Sequence, residues 1–144
     1  MTVTLAAISD TELSLDAHLA AVDDDRAGAV TTFLGRVRDH DPDAAGEVVA
    51  LEYSSHPDAE RILRDLAEKA VATGVSREAI IAVSHRIGRL PVGSAAVVVA
   101  VAAAHRDEAF VVCREMIEAI KRELPVWKRQ VEADGTTAWK GIGG

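Results

Sequence analysis

Lys121 and Lys128 lie seven residues apart in KRELPVWKRQ (121–130), and each is followed by an arginine. An ammonium group can stabilise a developing oxyanion or carry a proton to and from a reacting atom. A lysine crowded by other cations gives up its proton more readily than a free one. Pro125 stands between the two, and a helix ends before a proline. The chain beyond it can then fold back and aim both ammonium groups at one point. A solvated helix end followed by a basic edge strand has the same spacing, and it is the commoner setting for lysine.

Other cations fall at the ends of predicted elements. His105 and Arg106, in HRDE (105–108), close an apolar run and open a helix, where backbone amides and two cationic side chains suit an anion. A hydrogen-bonded strand end reads equally well. Arg36 and Arg38 continue one face of a predicted strand. Each either snorkels at a strand edge or forks onto a phosphate or carboxylate. Together with the lysines they form a cationic set in a chain of formal net charge −7. Such a concentration suits a small polyanion or an acidic peptide tail. Metal chemistry is not expected: the histidines and the DHD of 39–41 lack the spacing of a zinc site. Cys113, the single cysteine, falls on a predicted helix core stripe and reads as a small hydrophobe. It allows no internal disulfide and fits a reducing, cytoplasmic setting.

The elements that must hold these groups follow from periodicity. Thr2–Ile8 is a first strand, and Ser14 caps a helix with Leu15, Leu19 and Val22 on its inner face. Gly28–Val37 is a strand with Val30, Thr32, Leu34, Arg36 and Arg38 on one face. A loop at 39–46 leads to the strand Val48–Tyr53. Asp58 caps a helix with Ile62, Leu63, Leu66, Ala70 and Val71 inward, ending at Gly74. Ala79–Ser84 is a strand, and HRIGRLPVG (85–93) turns into Ala95–Ala104, a run without polar alternation and so buried on both faces. Asp107 opens a helix with Phe110, Cys113, Ile117, Ile120 and Leu124 on its core stripe. Val126–Val131 is extended, with Val126, Lys128 and Gln130 facing one way. ADGTTAW (133–139) is a turn, and the last residues are mobile. Strands and helices mix without strict βαβ alternation, which makes the class α+β. The 144 residues amount to one domain, 1–144. An acidic chain argues against non-specific nucleic-acid binding. The ten-residue apolar run is too short to span a bilayer, and the N-terminus lacks the basic region of a signal peptide.

Five stretches, taken together and in order, resemble one family, the large catalytic subunit of molybdopterin synthase. They are FLGRVRDHD (33–41), LEYSSHPDAE (51–60), HRIGRLPVG (85–93), AAHR (103–106) and IKRELPVWKRQ (120–130), with DGTTAW (134–139) after them. The resemblance implies an α/β hammerhead fold with an antiparallel β-sheet subdomain. It implies an enzyme of molybdenum cofactor biosynthesis that converts cyclic pyranopterin monophosphate (precursor Z) into molybdopterin. The sulfur would come from the C-terminal Gly–Gly thiocarboxylate of a small ubiquitin-like carrier subunit, with no cofactor bound by this chain. The large subunits of the family pair as a homodimer, with a small subunit at each end of a heterotetramer. Lys121 and Lys128 match the catalytic lysines. Arg36, Val37 and Arg38, the His105–Arg106 pair, and Arg129 and Gln130 match substrate-binding positions. The family often carries an acid where Gln130 stands. The terminal GIGG (141–144) imitates the carrier's Gly–Gly end, but it follows large-subunit motifs and is read as a chain end. A non-catalytic anion pocket for a ubiquitin-like tail, or a phosphate-ester enzyme built on the same cations, are the alternatives. Sulfur-transfer turnover separates them.

Overall fold

The computed structural model describes residues 2–40 and 46–141. Within them lie eight strands: β1 (Val3–Ser9), β2 (Ala29–Arg36), β3 (Val48–Ser55), β4 (Ile80–Arg86), β5 (Gly88–Pro91), β6 (Ala95–Ala103), β7 (Val126–Glu132) and β8 (Thr137–Gly141). Three helices accompany them: α1 (Leu15–Ala21), α2 (Ala59–Ala72) and α3 (Arg106–Glu123). The strands form two four-stranded sheets, ordered β1-β4-β6-β2 and β5-β3-β7-β8. Only β1 and β4 run parallel, and every other pairing is antiparallel. This is the α+β class that the sequence predicts.

The first sheet is sandwiched. On one face Ile81, Val83, Val97, Val99 and Val101 meet Leu63, Leu66 and Val71 of α2 and Val112, Met116 and Ile120 of α3 in one core cluster. On the other face Ala82, Ala100 and Ala102 pack with Val22, just past α1. Central strand β6 is therefore covered on both sides, as its unbroken apolar sequence requires. Val98 to Val101 have no measurable exposure. At about 25 cal/mol per Å² of apolar surface removed from water, this layer is the main source of cohesion.

Two helical faces and one helix cap differ from the sequence reading. The buried residue of α1 is His18, while Leu19 is exposed. Ser14 caps the helix as expected, its Oγ accepting from Ala17 N at 3.1 Å. The His18 ring can sit inside because both its nitrogens are satisfied: Nδ1 donates to Ser14 O (2.6 Å) and Nε2 accepts from Ser84 Oγ (2.8 Å). In α3 the inner stripe is Ala109, Val112, Cys113, Met116, Ala119 and Ile120, and Phe110 points to solvent, 60% exposed. Of the expected stripe Cys113, Ile120 and Leu124 stay inside, and Ala109, Val112, Met116 and Ala119 complete the buried face. At the start of α2, the Asp58 carboxylate makes no capping bond; instead His56 Nδ1 accepts from Asp58 N at 3.0 Å.

The second sheet contains two strands that local pattern misses. Gly88–Pro91, read as part of a turn, pairs with Ala50–Tyr53 as β5, entered through Gly88 at φ +94°. Thr137–Gly141, the end of the expected turn, is β8, paired with β7. The true turn is 133–136, where Gly135 adopts φ +87°. The expected mobility of Ile142–Gly144 and the centre of the 39–46 loop, Asp41–Ala45, lie outside the described residues.

Candidate active site

The two sheets meet where α3 ends. Leu124 leaves the helix in an extended conformation (φ −71°, ψ 124°), as a residue before proline must. Pro125 O accepts from His56 N at 3.0 Å, fastening this corner to the end of β3. The chain then returns as β7, antiparallel to β3, with Tyr53 opposite Lys128 and Leu51 opposite Gln130. Residues 126, 128 and 130 share one face, and Val126 and Gln130 are buried there.

That face is one wall of a cleft of about 240 Å³. Lys128, Gln130, Tyr53, Leu51 and Val48 come from the second sheet, Lys121 from the last turn of α3, and Arg36, Arg38 and His40 from the end of β2 and the residues after it. Fold-back across Pro125 thus brings both lysines to one space. No carboxylate lies among the described lining residues, against four Lys and Arg side chains. In a chain of net charge −7, this local field selects anions.

Lys121 keeps an open side toward the water of the cleft, yet protein surrounds it elsewhere. Loss of solvent, and then the charge of Lys128, lower its pKa from the usual lysine range. The open side screens part of both effects. Beneath the cleft His85 is 3% exposed. Burial, with a smaller contribution from Lys121, pushes its pKa down to about 4, so the ring is neutral at neutral pH. Tyr53 packs against it with ring centroids 5.1 Å apart and planes at 71°, and burial raises the phenol to about 12.

The structure divides the residues nominated from sequence. Lys121, Lys128, Arg36, Arg38 and Gln130 line the cleft. Val37 does not: its side chain packs with Leu90 and Ala96, and its amide and carbonyl bond Ser94 O (2.9 Å) and Gly93 N (2.7 Å). Strand alternation between Arg36 and Arg38 forces this. Arg129 likewise faces away, hydrogen-bonding Glu52 and lying 5.0 Å from the Trp139 ring centroid. His105 and Arg106 sit at the opposite end of α3. Fifteen residues at 1.5 Å per residue put Arg106 about 22 Å from Lys121 along the helix. One pocket gathering every nominated cation within a single chain is therefore not what the fold builds. Tyr53, His40, Leu51 and Val48 were not nominated. The i, i+2, i+4 series Arg36, Arg38, His40 was the available signal for His40, whereas Tyr53 needed the pairing of β3 with β7.

Cys113 stands on the inner face of α3, and burial pushes its thiol up to about 11. No helix among the described residues is long and apolar enough to cross a membrane.

Comparison with known proteins places this geometry in a family. The family model described as MoaE protein matches residues 8–123. Molybdopterin synthase catalytic subunit 1 of Mycobacterium tuberculosis is 38% identical over 135 residues, covering 93% of this chain and 88% of that protein. The crystal structure of molybdopterin synthase from Staphylococcus aureus superposes with a TM-score of 0.85 at 28% identity, covering 93% of this chain and 95% of the other. A chain in the complex of subunits 1 and 2 of molybdopterin-converting factor from Helicobacter pylori gives 0.73 at 18% identity, covering 96% and 90%, a likeness of fold. With most of its length matched by sequence and by structure, the chain belongs to the MoaE family, the molybdopterin synthase catalytic subunits.

Proposed function

We propose that the cleft between α3, β7, β3 and the end of β2 is where sulfur passes to precursor Z from the thiocarboxylated C-terminus of a small ubiquitin-like subunit. The observation that carries this reading is the convergence of Lys121 and Lys128, from two elements, on a cleft without a described carboxylate. A phosphate-bearing pterin and a thiocarboxylate tail are both anionic, and Arg36 and Arg38 suit such groups through charge-assisted hydrogen bonds.

Transfer forms a bond from the thiocarboxylate sulfur to a substrate carbon as a carbon–oxygen bond at that carbon breaks, its oxygen leaving as water or on the phosphate. It later breaks the acyl–sulfur bond by addition of water, leaving a carboxylate on the carrier. The tetrahedral oxyanion formed on the way is stabilised by an ammonium close by. Lys121, its pKa lowered, is the better placed of the two to move a proton, and Lys128 supplies charge from the facing wall. The sulfur comes from the partner, since the one thiol here is buried and its pKa raised. A second copy of the chain fits the free edge of the first sheet, where β2 exposes Val30, Phe33 and Leu34. The one-domain reading and a cytoplasmic site of action belong to the same proposal.

The test is mass-spectrometric detection of molybdopterin from precursor Z, thiocarboxylated carrier and this chain. Product is expected with the wild type and not with Lys121→Ala. Tail binding without product would make the chain an anion-binding module instead.

A further inference from the structure

Tyr53 is the only tyrosine in the chain, and it lies on the cleft floor between the lysine-bearing elements. It faces Lys128 across the β3–β7 ladder, a placement that sets their Cβ atoms about 5 Å apart. Every other hydrogen-bonding side chain on the cleft wall is a cation, a histidine or the Gln130 amide. The Tyr53 hydroxyl has no hydrogen-bond partner among the described residues, and it is not sealed from solvent. A half-buried hydroxyl with no partner among the described residues, facing a cleft, is a group available to a ligand. With its pKa raised to about 12 it remains a donor at any working pH.

The ring that carries it is held from behind. His85 is buried on β4, and its Nδ1 lies 2.8 Å from Arg86 O. A carbonyl only accepts, so Nδ1 carries the hydrogen and the tautomer is fixed. The neutral imidazole then offers a rigid surface to the Tyr53 ring, whose centroid lies 5.1 Å away in a T-shaped contact.

We propose that Tyr53 is a substrate-contacting residue of the sulfur-transfer cleft, donating its hydroxyl hydrogen to the acyl oxygen of the carrier tail, and that buried His85 is the positioning residue that fixes its ring. This rests on the sulfur-transfer reading above. The contact adds a neutral donor to the lysine charge that faces the same oxygen. It would strengthen as charge develops there, so its loss belongs in kcat rather than in KM.

The experiment measures steady-state molybdopterin formation from precursor Z and thiocarboxylated carrier, with Lys121→Ala as the inactive reference. Tyr53→Phe removes only the oxygen and should lower kcat roughly tenfold with KM and melting temperature little changed. His85→Ala should lower kcat similarly, and the double variant should fall no further than either single one, the signature of two residues acting as one unit. His85→Phe keeps a ring behind Tyr53 and should recover most of the rate. If His85→Ala does not fold, His85→Leu, which keeps bulk without a ring face, takes its place in the cycle with Tyr53→Phe. Tyr53→Phe turning over at the wild-type rate beside an inactive Lys121→Ala would overturn this inference and leave the sulfur-transfer reading standing. Additive losses for Tyr53 and His85 would overturn the positioning role. A wild type that makes no product would overturn both readings.

Discussion

Lys121 and Lys128 illustrate what a residue's surroundings add to its type. Lys121 loses part of its solvent and faces a second cation, so its charge adds little to the stability of the fold. Lys121→Ala should abolish product formation yet keep the melting temperature at or above that of the wild type. A variant that is inactive because it has lost its fold, as seen by circular dichroism, would contradict this. Cys113→Ser should still make product. Its cost should be about 1–3 kcal/mol, because a hydroxyl replaces a thiol on the buried face of α3. Complete inactivity in a folded Cys113→Ser protein would show that the thiol takes part. His85 carries a pH signature. Its folded pKa is about 4 against an ordinary 6.5, so between these values the unfolded chain binds a proton that the folded chain refuses. Its contribution to stability is therefore fully present above about pH 6.5 and is lost as pH falls toward 4, a change of up to ~3 kcal/mol. Urea unfolding at pH 7 and pH 4.5 should show a larger fall for the wild type than for His85→Phe. Equal falls would mean that His85 is not the group responsible.

At the scale of elements, the site is a corner. α3 delivers Lys121, the proline stops the helix, and β7 carries Lys128 back past it. The hydrogen bond from His56 N to Pro125 O fixes that corner to β3. Pro125→Gly should loosen it, since glycine leaves φ free where proline pins it. Activity should fall several-fold, about 1 kcal/mol in the barrier, with the helix content of the far-ultraviolet spectrum unchanged. An unaltered rate would mean that the lysines are held by their own packing and not by the corner. Much of this element was legible in the sequence, because a proline between two periodicities has only a few conformational outcomes. The identity of β5 and β8 was not. Both are short strands whose hydrogen bonds are made to β3 and β7, far away in sequence for β5, and neither shows alternation of its own.

For the whole molecule, the issue is charge distribution. A net charge of −7 surrounds a cleft whose described lining has Lys and Arg but no Asp or Glu. Anion capture should therefore depend on salt, since screening acts over roughly 8 Å at physiological ionic strength. Arg38→Ala should raise the KM for precursor Z by roughly tenfold to a hundredfold, the equivalent of one lost charge-assisted bond. It should also flatten the dependence of KM on salt. Parallel salt curves with an unchanged KM would show Arg38 to be a structural strand end.

The sequence by itself determined what depends on neighbours along the chain: the double burial of β6, the Ser14 cap, the break at Pro125, and the common face of Val126, Lys128 and Gln130. These follow from periodicity, capping and a fixed φ, which act over a few residues. It also determined the family, because motifs in order are a property of the chain. Tertiary structure alone decided which cations share a space. Arg36 and Arg38 reach the lysines although more than 80 residues separate them. His105 and Arg106, nearer in sequence, are carried away by the length of a rigid helix. Val37 and Arg129 sit beside cleft residues in sequence, and strand alternation turns them to the other face. Tyr53 and His85 meet only because two sheets join at one edge. Proximity across a fold is set by strand pairing and helix length together, and neither can be read from residue type or spacing at the position itself.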